Sequence, residues 1–191
     1  MTLVAFVDES ESRQDLDAGT YILCATVVSE EDAPALRDHM VRIKPASRKK
    51  LHWHDQRTVG ERVALADRVG SLDAKYIVVV RIGGVDARSE RRRRMCLERL
   101  SFELQSLGVS HVTFESRGRA DDKRDVDLLQ TLRARKIIHA PLRFDHVPGP
   151  AEPLLWISDV VCGAVTQDRI GHSEMLDPMR HSVTFHEVHA G

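Results

Sequence analysis

The stretch TLVAFVDES, residues 2–10, is a short apolar run that ends in the two acids Asp8 and Glu9. A continuous apolar run of this length is typical of a strand that is buried on both faces of a sheet. Further strands are predicted at 20–28 (TYILCATVV) and at 75–82 (KYIVVVRI). A carboxylate at the end of a central strand is costly to bury unless it is paired or bound to a metal, so Asp8 is a candidate functional residue.

The remaining chain alternates between helical and strand patterns. Helical spacing predicts helices at about 32–43, 58–70, 87–107, 123–134 and 152–167, and strands are expected at 111–115, 142–147 and, less regularly, 182–188. With an excursion at about 30–72 set aside, the order is strand, strand, strand, helix, strand, helix, strand, helix. A helical connection makes the strands that it joins parallel. We therefore expect an α/β fold with a mixed five-stranded sheet, helices on both faces, and one domain over 1–191 with a helical insertion at about 30–72.

Composition excludes several classes of protein. The 191 residues include 28 Lys and Arg and 29 Asp and Glu, a formal net charge of -1, which excludes a uniformly basic nucleic-acid coat and an acidic disordered tail. Cys24, Cys96 and Cys162 are far apart and lie among apolar residues, so they are expected in the core rather than in a zinc ribbon or a disulfide framework. Neither a signal peptide nor a membrane span is predicted, and we expect a cytoplasmic protein with no membrane partner.

Two further acids stand in apolar surroundings. Glu115 ends the strand HVTFE at 111–115, and Asp159 lies inside the almost wholly apolar helix LLWISDVVCGAV. The carboxyl ends of parallel strands and the first turns of the helices that follow them meet at one edge of the sheet. We therefore expect the carboxylates of Asp8, Glu115 and Asp159 to converge there.

Converging carboxylates raise each other's pKa unless a cation neutralises them, and ligands that are all oxygen suit Mg²⁺ or Mn²⁺. A pair of such ions can activate water and stabilise the leaving oxygen of a phosphodiester. Simpler structural roles stay open for each acid. Asp8 could start a turn, Glu115 could pair with Arg117 at the surface, and Asp159 could be bonded to a buried Arg or Ser.

The motifs FVDES at 6–10, HVTFESR at 111–117 and WISDVVCGAV at 156–165 occur in an order that resembles the RNase H-like nuclease superfamily. Within it, the chain resembles the bacterial domain-of-unknown-function family 3800. The resemblance implies that Asp8, Glu115 and Asp159 are catalytic metal ligands, that nucleic acid is the substrate, and that the protein acts in a mobile-element or defence context. It also implies a fourth acid near the start of the first long helix, where Glu90 is preferred to Asp86 as a metal ligand.

Two histidine positions are candidates for proton transfer. The segment KLHWHD at 50–55 carries His52, His54 and Asp55, which could form a zinc site, bring the catalytic base or acid His54 to the acidic edge, or form an ordinary polar loop. His146, near the end of the predicted strand at 142–147, is a second candidate catalytic histidine.

Arginines cluster next to the predicted acidic edge. Arg91 to Arg94 are consecutive, so they point around the whole helix and cannot form one patch, while Arg117 and Arg119 directly follow Glu115. We expect Arg91, Arg117 and Arg119 to bind substrate phosphates without reading the base sequence.

The sequence leaves two functions open. One is a divalent-metal-dependent nuclease or phosphodiesterase, and the other is a non-catalytic binding or regulatory module on the same fold, with acids that arginines neutralise. A homodimer or a partner protein that completes the site is compatible with both.

Overall fold

The computed structural model describes residues 2–11, 17–83, 88–139 and 142–189. The strands are β1 (Leu3–Glu11), β2 (Tyr21–Ser29), β3 (Lys75–Ile82), β4 (Val109–Glu115), β5 (Arg143–Val147) and β6 (Val183–His189). The helices are α1 (Ala33–Ile43), α2 (Val59–Gly70), α3 (Ser89–Ser106), α4 (Arg119–Ala134) and α5 (Leu155–Arg169). Short 3-10 turns lie at Trp53–Asp55, Gly149–Ala151, Ser173–Met175 and Asp177–Ser182.

The strands form one mixed sheet in the order β5-β4-β1-β2-β3-β6. Strand β2 is antiparallel to both of its neighbours, β1 and β3, and every other adjacent pair is parallel. All strands except β2 therefore point in the same direction. Their carboxyl ends meet at one edge of the sheet, as the sequence predicted.

The sheet has six strands, so the expectation of five was wrong by one. The extra strand, β6, pairs in parallel with β3 at the edge of the sheet, with Val183 opposite Tyr76. Every side chain of β6 is half-exposed or exposed. A strand that buries so little apolar surface has a weak hydrophobic pattern, which explains why it did not count among the core strands.

Helices cover both faces of the sheet, as predicted. Alternate side chains of β1, β2 and β3 pack with α1, α2 and α5 on one face, and the intervening side chains pack with α3 and α4 on the other. Every residue of β2 is buried, because this strand is central and has helices above and below it. The two helices α1 and α2 lie between β2 and β3, at the position of the predicted insertion.

The three cysteines, Cys24, Cys96 and Cys162, are buried and free of disulfides, which confirms their prediction as core residues. Within the part of the chain that the structure describes, no helix is both long enough and apolar enough to cross a bilayer.

Candidate active site

The pairing of β1 with β4 aligns two of the predicted acids. These strands are parallel, and Val7 lies opposite Phe114. Asp8 and Glu115 are the next residues on the two strands, so they lie side by side at the level where β4 ends and β1 continues beside β2 alone. The alignment follows from register alone and holds both acids at the carboxyl edge of the sheet.

Helix α5 brings the third acid to the same place. The Ser158 hydroxyl lies 2.7 Å from the carbonyl oxygen of Phe6 and 2.7 Å from the Thr26 hydroxyl, so it pins the helix to β1 and β2. One turn further on, the Cys162 thiol donates to the carbonyl oxygen of Asp8 at 3.6 Å. Asp159 lies between these two anchors and is therefore held close to Asp8 of β1.

Asp8, Glu115 and Asp159 line one cavity of about 320 Å³. The rest of its lining comes from five parts of the chain: Val7, Glu9, Ser10 and Glu11 from β1, Lys50, His52, Trp53 and His54 from the loop before α2, Arg93 from α3, Ser116 and Arg117 from the β4–α4 connection, and Gly163 from α5. The predicted convergence of the three acids on one pocket is therefore present in the structure.

The loop between α1 and α2 forms one wall of this cavity. The backbone N–H of Trp53 donates to Asp159 Oδ2 at 2.6 Å, and the Trp53 side chain is only 2% exposed. The indole packs on Gly163 of α5 so closely that a Cβ at this position would overlap the ring. A residue without a side chain on α5 thus permits the loop to dock against the site.

Lys50 also lies close to the three carboxylates, although no sequence motif indicated it. Its Nζ atom is 2.8 Å from Glu115 Oε1, and its charge also acts on Asp8 and Asp159. The bond to Glu115, with the other two carboxylates, raises the pKa of Lys50 although burial opposes this, so the amine stays protonated. The available pattern was the alternation of Lys50, His52 and His54, and the structure places all three in the cavity lining.

The pKa values of Asp8 and Asp159 are both raised. Burial raises the pKa of Asp8 well above its usual range, and the neighbouring charges of Asp159 and Glu115 raise it further. Burial also raises the pKa of Asp159. An added cation would relieve this repulsion, which is the behaviour expected of a cation site.

Each acid has one oxygen that a protein donor already holds. The Glu9 N–H donates to Asp8 Oδ1 at 2.8 Å, Lys50 binds Glu115 Oε1, and the Trp53 N–H binds Asp159 Oδ2. Among the described residues, the second oxygen of each acid accepts no hydrogen bond. Three hard oxygen donors therefore remain, which is the ligand chemistry of Mg²⁺ or Mn²⁺.

The side chains of Asp8, Glu115 and Asp159 are not arranged around one metal position in this structure. In residues 2–11, 17–83, 88–139 and 142–189, no group of three or more His, Cys, Asp or Glu side chains has the spacing of a metal site. The oxygen ligands thus fit a divalent cation. In the present side-chain positions, the ammonium group of Lys50 interacts with the acids instead.

The two histidines of the insertion loop are placed differently. His52 Nδ1 lies 3.6 Å from Asp159 Oδ2 and accepts the backbone N–H of His54 at 3.1 Å. His54 is exposed and lines the cavity. Asp55 pairs with Arg48 at 3.4 Å and does not line the cavity. The described residues therefore give no support to a zinc site built on His52, His54 and Asp55.

A buried ion-pair network lies behind the cavity. Arg93 and Asp125 are each 2% exposed in their side chains and form a two-point ion pair, with distances of 2.9 and 2.6 Å. Arg93 also binds Glu9, and Arg117 reaches Asp125 at 3.3 Å. The bonds of Asp125 to His146 and Arg93 hold its pKa well below the usual range, although burial opposes this.

His146 belongs to this network and does not line the cavity. Its Nε2 atom is 3.2 Å from Asp125 Oδ2, its side chain is 9% exposed, and its ring stacks on Phe114 with centroids 5.3 Å apart. The structure therefore gives His146 an anchoring contact and no direct access to the three carboxylates.

The other predicted site residues lie around the entrance. Arg117 lines the cavity, and its NH1 atom donates to Glu90 Oε2 at 3.4 Å, so Glu90 faces this arginine and not the three acids. Arg119 is exposed at the first residue of α4 and lies outside the cavity lining. Asp86 lies outside the described residues.

The four consecutive arginines divide as predicted. Arg92 and Arg93 are buried, and Arg92 pairs with Glu11. Arg91 and Arg94 are exposed and line a second cavity, of about 400 Å³, between α3 and α4. Arg124 of α4 also lines this cavity. The exposed pair is therefore free to contact a ligand, whereas the buried pair supports the site.

Three solved structures share this fold. Ribonuclease H2 from Pyrococcus horikoshii OT3 is 17% identical with a TM-score of 0.50, and the RNase HII of Archaeoglobus fulgidus, solved in a complex with PCNA, is 17% identical with a TM-score of 0.53. In both cases the alignment covers 88% of this chain and 74% of the other. A mutant of Bst-RNase HIII is 12% identical with a TM-score of 0.51, over 94% of this chain and 54% of its own.

No family model matches the chain, and no curated protein does. At these identities the structural likeness shows the fold alone. The fold is RNase H-like, as the three motifs implied.

Proposed function

We propose that this protein is a divalent-metal-dependent nuclease that hydrolyses phosphodiester bonds. One observation carries the proposal: Asp8, Glu115 and Asp159 line one cavity at the carboxyl edge of an RNase H-like sheet. The sequence places these acids on three distant segments, and the fold brings them together. Membership of family 3800 and a mobile-element or defence context remain predictions from the motifs.

In this proposal the three carboxylates hold the cation through the oxygens that accept no hydrogen bond from the described residues. The Glu9 and Trp53 N–H groups fix the other oxygens of Asp8 and Asp159, which limits the rotation of both side chains. Bound Mg²⁺ or Mn²⁺ would supply an activated water and a Lewis acid for the phosphate. His54, exposed at the rim, is placed to transfer a proton to or from the solvent side.

Arginines would hold the nucleic-acid backbone. Arg117 lines the cavity and binds the phosphate nearest the acids, while Arg91 and Arg119 contact phosphates further along the strand. Glu90 and His146 act in this proposal by positioning Arg117 and the Asp125 pair, respectively. Such contacts hold a strand without selecting a base sequence.

Cleavage of labelled single-stranded, double-stranded and hybrid nucleic acids with Mg²⁺ or Mn²⁺ tests the proposal. The wild-type protein is expected to cleave at least one of them, and Asp8→Asn and Asp159→Asn are expected to abolish cleavage. Asp38→Asn, an exposed change on α1, is the matched control and should retain full activity. Cleavage that survives both site substitutions would refute the proposal.

The second candidate function is a non-catalytic binding or regulatory module. The observation that favours it is the ion pair between Lys50 and Glu115, which neutralises one of the acids within the protein. This function predicts that the protein binds nucleic acid but neither Mg²⁺ nor Mn²⁺. It also predicts that Asp8→Asn and Asp159→Asn leave nucleic-acid affinity unchanged.

A further inference from the structure

The ammonium group of Lys50 is held in the cavity by the fold of its own loop. Leu51 and Trp53, which follow Lys50 in the chain, are 4% and 2% exposed, so both are anchored in the core on the α5 side of the sheet. Lys50 itself is partly exposed, with 25% of its side chain accessible, and its Nζ atom binds Glu115. Two buried residues directly after Lys50 therefore hold its part of the loop at the site.

The other acids of the cavity already have their own partners. Glu9 binds Arg93 and lies 3.7 Å from Arg117, and Glu11 binds Arg92. The charge that remains for added cations is that of Asp8, Glu115 and Asp159. Two divalent ions together with Lys50 would exceed these three negative charges by two, whereas one divalent ion and Lys50 balance them.

We propose that Lys50 takes the place of one cation, so that the three carboxylates bind a single divalent ion per chain and not the pair that the sequence suggested. This inference rests on the proposed function, because it concerns the same site. The ammonium group has three hydrogens, and one of them is directed at Glu115. The other two are available to a non-bridging oxygen of the substrate phosphate, which makes Lys50 a catalytic residue of this site.

Titration of the purified full chain with Mn²⁺, with free Mn²⁺ followed by electron paramagnetic resonance, tests the inference. The wild-type protein is expected to bind one Mn²⁺ at the site, and Asp8→Asn is expected to lose it. Lys50→Met removes a positive charge near the ion, so it should tighten the first Mn²⁺ by about tenfold or more and admit a second. Lys50→Arg keeps the charge and should bind one ion, as should Lys49→Met, a change at the exposed neighbouring lysine.

The outcomes separate this inference from the proposed function. Two Mn²⁺ per wild-type chain, both lost in Asp8→Asn, would overturn the role of Lys50 and leave the metal-dependent nuclease intact. One Mn²⁺ per wild-type chain, with the same affinity and stoichiometry in Lys50→Met, would also overturn the role of Lys50 and leave the proposed nuclease function intact. No Mn²⁺ in any variant, or equal binding in Asp8→Asn, would overturn both. If Lys50→Met fails to fold, Lys50→Gln replaces it as the variant that removes the charge, and two Mn²⁺ per wild-type chain would overturn the inference without either variant.

Discussion

The backbone N–H of Trp53 donates to Asp159 Oδ2 at 2.6 Å, a contact between residues that are 106 positions apart in the chain. It joins the loop between α1 and α2 to the helix that carries the third acid. Lys50 lies three residues before Trp53 on the same loop. The orientation of the Asp159 carboxylate therefore depends on how well this loop packs.

Gly163→Ala is expected to disturb this packing. The new methyl group would overlap the Trp53 ring, and overpacking of this kind costs about 1–3 kcal/mol. We expect the free energy of unfolding in urea to fall by that amount and cleavage to fall with it, because the Trp53 bond to Asp159 is displaced.

Gly60→Ala is the matched control for this change. Gly60 lies in α2, and a Cβ there has no atom within 4 Å. Alanine is the better helix former by about 1 kcal/mol, so this variant should be slightly more stable and fully active. Equal free energies of unfolding and equal cleavage rates in Gly163→Ala and Gly60→Ala would show that the contact between Trp53 and Gly163 does not constrain the loop.

Asp125→Asn should be among the most destabilising single changes in the protein. It leaves the buried Arg93 guanidinium without its two-point partner, and breaking a buried ion pair in this way costs about 3–5 kcal/mol. Urea denaturation measures the loss.

Asp127→Asn provides the comparison. Asp127 lies on the same helix and forms an exposed pair with Lys123, in which both side chains are more than half accessible. Such a pair contributes about 0–1 kcal/mol, so its removal should change little. A loss of less than about 1 kcal/mol in Asp125→Asn would mean that the Arg93 network does not stabilise the site.

The stability of the metal-free protein should depend on pH through Asp8. Burial and the nearby acids raise its pKa in the folded state above that of the unfolded chain. Between these two pKa values the folded state keeps a proton that the unfolded state has lost. The free energy of unfolding therefore falls as the pH rises through this window, and the full cost is present above the folded pKa.

Asp8→Asn removes this cost, so in the presence of a chelator it should be more stable than the wild type at pH 7.5. The advantage should shrink as the pH falls toward 4, near the ordinary pKa of an aspartate, about 3.9. Urea titrations across this range measure the difference, with the exposed Asp38→Asn as control. A difference that grows with acidity would contradict the raised pKa.

Arg91→Ala should weaken nucleic-acid binding equally for all base sequences. Arg91 is exposed beside the α3–α4 cavity, and a lost phosphate contact lowers the slope of log affinity against log salt by about 1. Arg135→Ala is the control, because this exposed residue follows the far end of α4, about 24 Å from its start. Fluorescence anisotropy at several salt concentrations compares them, and an equal loss in both would argue against a defined binding face.

The fold was largely predictable because its central strands are apolar on both faces. The patterns at 20–28 and 75–82 match β2 and β3 to within a residue at each end. Helix α4 begins four residues before its predicted start, because its first turn, RADD, carries no large apolar residue. The hydrophobic pattern of strand β6 is weak as well, since its position at the edge of the sheet leaves its side chains half-exposed or exposed.

The three acids were predictable for a different reason. Each interrupts an apolar segment, where a charge requires an explanation, and parallel topology then brings them to one edge. Lys50 and Asp125 do not stand out in this way, since both lie among other charged residues in the sequence. Only the docking of the loop shows that Lys50 pairs with Glu115, and only the packing of α4 against α3 shows that Asp125 pairs with the buried Arg93.

The loop that carries Lys50 and Trp53 is separate in sequence from the strands and the helix that carry the acids. The site therefore consists of two parts: three carboxylates that the sheet and α5 bring together, and a wall that the segment between β2 and β3 supplies. A different insertion at that position would alter the charge and the proton donors of the cavity, while β1, β4 and α5 would still carry the three acids to the same edge. One scaffold could in this way acquire several specificities by replacing a single loop.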